Sequence, residues 1–417
     1  MARRSNQVVG IDVGTSKVCA LIVEPSDSGP PAVIGFGSCP SRGMRRGVVV
    51  NLEACVTSIK QAVEEAELLA GLSVDRAFVG IAGPHVRGLN SRGVVKITGR
   101  DQEVTSEDVQ RSLESARAVA IPQEREIIHV LPQEYAVDDN VGIHEPVGLT
   151  GTKLEIDVHI ITASVTAAQN LVNCVNRAGV EVEGVVLEQL AAADAVLTQD
   201  EKDLGVALID VGGGTTSLVI FERGAIRHIA VLPTGGEHVS NDIAVGLRTP
   251  VPEADRIKIR HGCAVPSMID PEDVIEVPGV GHRKPRVLSR HLLCEIIQPR
   301  AEEIFFMVAE ELMRSGFDRA MHAGVVLTGG GSMLEGMAEV AEEALDVPVR
   351  RGAPQRLPGL TDTIATAQYG TAVGLTLYGA RERQGAPPPS QHSFPFPFPL
   401  RFTRLGDLFK GWFSEFF

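Results

Sequence analysis

Asp12 and Asp210 each close an apolar run, and each is followed by a glycine-bearing turn. The first segment reads Gly10-Ile11-Asp12-Val13-Gly14-Thr15-Ser16-Lys17. The second reads Leu208-Ile209-Asp210-Val211-Gly212-Gly213-Gly214-Thr215-Thr216. Apolar residues resume after each turn, so the pattern predicts strand, tight turn, strand, twice over. Glycines at 14 and at 212–214 remove side chains where the backbone bends and where a ligand must come close. Bare N–H groups in such turns cradle phosphate oxygens. The hydroxyls of Thr15, Ser16, Thr215 and Thr216 add donors, and Lys17 opposes phosphate charge. A carboxylate such as Asp12 or Asp210 holds Mg²⁺, usually through water. A third turn, Gly329-Gly330-Gly331-Ser332, follows the apolar run 325–328 and would let backbone approach a base or an α-phosphate. One such turn would be an ordinary hairpin. Three in this order point to a nucleotide closed between two related halves.

Two further sites have two readings each. Glu188, in Leu187-Glu188-Gln189-Leu190-Ala191, ends a predicted strand. Its carboxylate could orient a water for attack on a γ-phosphate, or it could simply favour a helix start through the dipole. Asp255 and Lys258 share a helix face and could hold a ribose or base; the same spacing also makes a surface ion pair.

The elements that position these residues follow from the pattern. Strands and one helix fill 1–80, the helix capped by Asn51, faced by Val56, Ile59 and Val63, and ended by Gly71. A buried strand follows at 77–83. The stretch 84–160 reads as an insertion, with strands at 93–98, 127–137 and 153–162 and a helix at 106–118. A helix at 165–178, a strand at 182–187 and an Ala-rich helix at 189–197 lead to the second turn. Helices are expected at 239–260, 288–315 (kinked at Pro299), 333–345 and 365–378. Between the first two, 262–287 carries short strand-like runs.

At 417 residues the chain needs more than one core. Its net charge of −14 argues against a nucleic-acid binder. Six cysteines without metal spacing read as reduced, buried thiols of a cytosolic protein. Asp12 interrupts the first apolar run, so it is a strand and not a signal peptide. No apolar run is long enough to span a bilayer.

The last segment differs from the rest. Nine of the chain's eighteen aromatic residues lie between Phe394 and Phe417. Residues 384–399, with Pro387-Pro388-Pro389 and alternating Phe-Pro, read as a linker. From 400 to 417 the apolar positions Phe402, Leu405, Leu408, Phe409, Trp412, Phe413, Phe416 and Phe417 fall on one helical face. Arg401, Arg404 and Lys410 lie on the other, placed to meet anionic lipid. The alternative is a terminal helix docked on the protein's own core.

These residues resemble the actin and heat-shock-chaperone ATPase superfamily and, within it, the FtsA family of bacterial cell-division actin homologues. Asp12 to Lys17 is similar to the first phosphate loop and Glu188 to Val196 to the first connecting helix. Asp210 to Thr216 is similar to the second phosphate loop, Leu327 to Ser332 to the adenosine motif, and Ala365 to Leu375 to the second connecting helix. Thr234-Gly235-Gly236-Glu237 and Ile257-Lys258-Ile259-Arg260-His261-Gly262 look like FtsA in particular. The resemblance implies an α/β, actin-like ATPase fold: two duplicated RNase H-like domains, each with an inserted subdomain, plus a C-terminal amphipathic helix. It implies one unit from 1–83 and 161–197 with an insertion at 84–160, and a second from 198–232 and 301–383 with an insertion at 233–300. It also implies ATP and Mg²⁺ as ligands, at most slow hydrolysis, and self-assembly into filaments. The implied partners are the FtsZ C-terminal peptide, at 233–300, and other division proteins; the implied place is the cytoplasmic face of the inner membrane. The basic stretch Arg283-Lys284-Pro285-Arg286, with Arg290 and His291, is either part of the peptide site or a solvated loop. The alternatives for the chain as a whole are an ATP-dependent small-molecule kinase of the same fold and a pilus-assembly scaffold.

Overall fold

The computed structural model describes residues 7–384 apart from 27, 28, 282, 283 and 318. The expected linker beyond residue 384 and the amphipathic segment 400–417 lie outside the described residues, as does Arg283.

The two Asp-bearing runs are central strands of two matching sheets. Val8–Val13 is buried along its whole length and pairs antiparallel with Lys17–Glu24, placing Asp12 opposite Cys19. Val206–Val211 pairs antiparallel with Thr216–Glu222, placing Asp210 opposite Ser217. On its other side each strand has a parallel neighbour, Arg76–Ile81 in the first sheet and Val325–Thr328 in the second. Across the first sheet the order is 32–40, 17–24, 8–13, 76–81, 181–187. Across the second it is 225–232, 216–222, 206–211, 325–328, 349–351. Strand for strand, the second order repeats the first. Both aspartates therefore sit at carboxyl ends of central strands, the side on which open α/β sheets bind ligands.

Helices pack on these sheets and between them. Leu52–Ala70 starts where Asn51 accepts a hydrogen bond from the Ala54 N–H and stops at Gly71 in the left-handed region. Its Cys55, Ile59, Ala62 and Ala66 are fully buried. Glu188–Val196 and Gly370–Gln384 pack on one another between the lobes. Asp194 joins them: it holds Lys202 at 3.0 Å and also pairs with Arg381.

Residues Arg87–Lys96, Lys153–Ser164, Arg125–Val137 and Asn140–Ile143 form a separate four-stranded antiparallel sheet, in that order. Helix Ser106–Arg117 covers it, its start fixed by a reciprocal cap between Thr105 and Asp108. The edge of the second lobe touches this sheet, where Gln133 Nε2 donates to the Ile226 carbonyl at 2.7 Å.

Four expected elements differ. The strand expected at 93–98 is Arg87–Lys96. The helix expected over 239–260 is two, Gly236–Leu247 and Val251–His261, because Arg248 turns left-handed and Pro250 lacks an N–H. The helix expected at 333–345 starts at Met337, after a tight 3-10 turn over Gly330–Met333. The helix expected at 365–378 runs Gly370–Gln384; its first seven residues are all buried, so no apolar stripe marks where it begins. Arg290–Ser315 continues as one helix through Pro299.

Candidate functional site

The two glycine turns meet. A Cβ placed on Gly213 would stand 2.9 Å from Ser16 Cβ, and one on Gly214 would stand 2.8 Å from Thr15 Oγ1. Real Cβ contacts do not come so close, so bare backbone is what allows the turns of the two lobes to touch. The second turn is also seated on a helix start: the Gly236 and Glu237 N–H groups donate to the Gly212 and Gly213 carbonyls at 2.9 and 2.8 Å.

Three carboxyls converge behind these turns. Glu188 is pushed well above the usual carboxylate range by burial, then by the charges of Asp12 and Asp210, with Lys17 opposing. Burial and the Asp12 charge raise Asp210 to about 6, against Lys17 and a hydrogen bond from Thr371. Asp12 is raised by burial and lowered by Lys17. Asp12 and Asp210, 198 positions apart in sequence, thus share one electrostatic environment. Lys17 is the cation that opposes all three.

Lys17 reaches across the fold. Its ammonium donates to the Gln368 carbonyl and lies 5.1 Å from the centre of the Tyr369 ring. The third turn packs directly on the second. Gly329, at φ +86°, has no room for a side chain, since a Cβ would sit 2.1 Å from Asp210 Oδ1. Gly331 is held bare in the same way by Val211, and Gly330 lies between them in the 3-10 turn. Glycine at 329 and 331 is therefore demanded by the neighbouring hairpin itself.

A family model described as "Cell division protein FtsA" matches residues 207–374, and one described as "SHS2 domain inserted in FTSA" matches residues 83–162. The chain is similar to the cell division protein FtsA of Pseudomonas aeruginosa, with 50% identity over 376 residues, 90% of each chain. The chain belongs to the FtsA family. Among solved structures it is similar to the PilM-PilN type IV pilus biogenesis complex, at 18% identity and TM-score 0.62 over 91% of this chain and 99% of that one. It is also similar to MreB5 of Spiroplasma citri bound to ADP, at 15% identity and TM-score 0.54 over 92% and 100%. The fold is thus actin-like.

Several expected roles in this FtsA-family cleft take a different form. Thr216 Oγ1 donates to the Thr234 carbonyl at 3.0 Å, so its hydroxyl proton belongs to the fold and does not face the turn. Ser332 Oγ likewise donates to the Gly329 carbonyl at 2.7 Å. Asp255 and Lys258 do form an ion pair, at 2.7 Å, yet it is not a plain surface pair. Lys258 is largely buried and also donates to Ser240 Oγ and to the Gly236 carbonyl, beneath the second turn. Of the basic stretch, Arg286 donates to the Leu247 carbonyl, and Arg290 pairs with Asp273 and Glu335 at 3.2 and 2.9 Å. His291 lies 3.5 Å from Glu295. Arg286, Arg290 and His291 are thus each engaged by neighbouring groups.

Sequence reasoning passed over other residues here. Gln368, Tyr369 and Thr371 contact Lys17 or Asp210 from the far end of the chain. Gln189 and the Thr234 hydroxyl are buried, and their polar side-chain atoms have no partner among the described residues. Buried polar groups are normally hydrogen-bonded, so these orphans fit a cleft that receives a polar ligand. The carboxyl cluster fits a divalent cation by its excess of negative charge. Among the described residues, no group of three His, Cys, Asp or Glu could hold a metal ion by itself. A cation therefore fits only with further ligands, such as phosphate oxygens and water.

Proposed function

We propose that this chain binds Mg·ATP between its two hairpin turns, self-assembles as actin-like filaments, and tethers the FtsZ ring to the cytoplasmic face of the inner membrane. The observation that carries this reading is the contact of Gly213 and Gly214 with Ser16 and Thr15 above three mutually repelling carboxyls. The amides of Gly14–Lys17 and Gly212–Thr215 bind the phosphates, with the Thr15, Ser16 and Thr215 hydroxyls beside them. Asp12 and Asp210 hold the cation through water, and Lys17 balances what charge remains. Mg²⁺, when bound, supplies positive charge against the triphosphate. Lys258 and Asp255, braced under Gly236, face the ribose, and the turn 329–331 backs the adenosine. Glu188 positions the water for a slow hydrolysis; burial, and then the charges of Asp12 and Asp210, raise its proton affinity, and a bound cation would offset the charge part of that rise.

Residues 233–300 receive the FtsZ C-terminal peptide, and residues 400–417 lie in the lipid surface through Phe402, Leu405, Leu408, Phe409, Trp412, Phe413, Phe416 and Phe417. No helix among the described residues is long and apolar enough to cross a membrane. Two experiments test the reading. Titration of the full chain with ATP should show binding that requires Mg²⁺ and weakens in Asp210→Ala; wild-type affinity in that variant removes Asp210 from the site. Deleting 400–417 should abolish co-sedimentation with phosphatidylglycerol liposomes while ATP binding persists; unchanged co-sedimentation ends the anchor.

A further inference from the structure

A third segment walls the junction of the two turns. Residues 41–49 form a small hairpin between strand Ala32–Pro40 and helix Leu52–Ala70, closed by the antiparallel pairs Met44–Val49 and Arg45–Val48. Its start and its tip are both bonded to the first turn. The Ser41 N–H donates to the Ser16 carbonyl at 3.0 Å, and the Gly47 N–H donates to Thr15 Oγ1 at 3.2 Å. Its tip touches the second turn, since a Cβ on Gly214 would stand 3.1 Å from the Arg46 Cα. The loop is anchored behind as well: Val50 and Asn51 donate to the Gly43 carbonyl, and the Arg42 N–H donates to Ser58 Oγ. Its position is therefore set by the same contact that brings the lobes together.

The hairpin carries Arg42, Arg45 and Arg46, all exposed. None of the three guanidinium groups has an ion pair or hydrogen bond among the described residues. Most other arginines among the described residues do, including Arg92, Arg125, Arg290, Arg300, Arg350 and Arg381. Arg46 also holds a left-handed backbone at φ +49°, a region that non-glycine residues seldom occupy and that strained functional loops often retain. Arg45 lies near enough to Glu237 for its charge to be felt there: burial raises that carboxyl, and His238, Lys258 and, least of all, Arg45 oppose the rise. Glu237 is the residue whose N–H holds the Gly213 carbonyl. Unpaired cations on a fixed loop, at the one place where both turns meet, suit an anion that arrives there.

We propose that Arg45 and Arg46 recognise the terminal phosphate of a nucleoside triphosphate in the cleft, so that this hairpin discriminates ATP from ADP. The proposal rests on the reading of the cleft as an ATP site and adds the group that senses the γ-phosphate. A diphosphate keeps its contacts with the turns and leaves the arginines without an anion.

The test is the full chain carrying Arg45→Gln and Arg46→Gln, titrated calorimetrically with ATP and with ADP in Mg²⁺. Affinity for ATP should fall about tenfold, the scale of one lost charge-assisted contact, while that for ADP should change less than about twofold. Arg45→Gln alone, at an exposed position with ordinary backbone, should shift the same ratio in the same direction. Equal weakening of ATP and ADP, or no change in either, overturns the proposal. Wild-type protein that binds neither nucleotide refutes the cleft reading itself, a result separate from any behaviour of the variants.

Discussion

The two Asp-bearing turns are one hairpin put to two uses. Their strands pair in the same register, with the same parallel neighbour on the same side. Yet the first turn ends in a cation, Lys17, that reaches Gln368 and Tyr369, and its Thr15 holds the hairpin 41–49. The second turn has no charge beyond Asp210; it has three glycines and a seat on the start of helix Gly236–Leu247. One turn brings charge and the other brings close approach. A duplicated fold has thus divided charge and close approach between its copies, two things that the proposed phosphate site needs at once.

The division can be broken from either side. Gly213→Val should have the largest effect. Its side chain would drive into Ser16, a cost of about 1–3 kcal/mol, and ATP affinity should fall about 10–100-fold in a calorimetric titration. Gly14→Ala should do much less, because its Cβ would press on the Lys17 carbonyl of its own turn, at 3.0 Å, with Asp12 Oδ1 in ordinary contact at 3.9 Å. Equal losses in both variants would erase the distinction drawn here.

Acid should act on one half of the molecule. His85, His129 and His159, all between residues 84 and 160, have their proton affinity lowered, first of all by burial. His129, lowered from 6.5 to about 4, accepts the Leu187 N–H at 3.0 Å just ahead of Glu188. A depressed folded value means that stability is complete above pH 6.5 and is lost as pH falls toward 4, because the unfolded chain binds the proton first. At pH 5 the loss from His129 is at most about 2 kcal/mol. His129→Gln keeps an acceptor, so denaturant unfolding at pH 7 and pH 5 should show a smaller difference than in the wild type. An unchanged difference would place the acid sensitivity elsewhere.

Smaller effects separate charge from scaffold. Lys17→Met should weaken ATP binding about tenfold by leaving three carboxyls unopposed. Thr216→Val should leave ATP affinity within about twofold and cost about 1 kcal/mol of stability, the price of one buried hydrogen bond to Thr234. The reverse ranking would mean that the second turn, and not the first, carries the polar recognition.

What could be read from the sequence was local. Asp, Gly and flanking apolar runs define each hairpin within about ten residues, and Asn51 and Gly71 mark a helix by their caps alone. Gln368 and Thr371 could not be read this way. They reach Lys17 and Asp210 only through tertiary packing, from a segment whose helix is too buried to show a period. The hydroxyl of Thr216 looked free because its acceptor, a backbone carbonyl at Thr234, leaves no mark in composition. Asp255 and Lys258 had the right spacing for an ion pair, but nothing in that spacing placed them beneath Gly236.

Whether both turns hold one ligand is decided by a crystal structure of the full chain with Mg²⁺ and a non-hydrolysable ATP analogue. The triphosphate should touch amides of Gly14–Lys17 and of Gly212–Thr215 at once, with the cation beside Asp12 and Asp210. A nucleotide bound through only one of the two turns, or bound elsewhere, would contradict it.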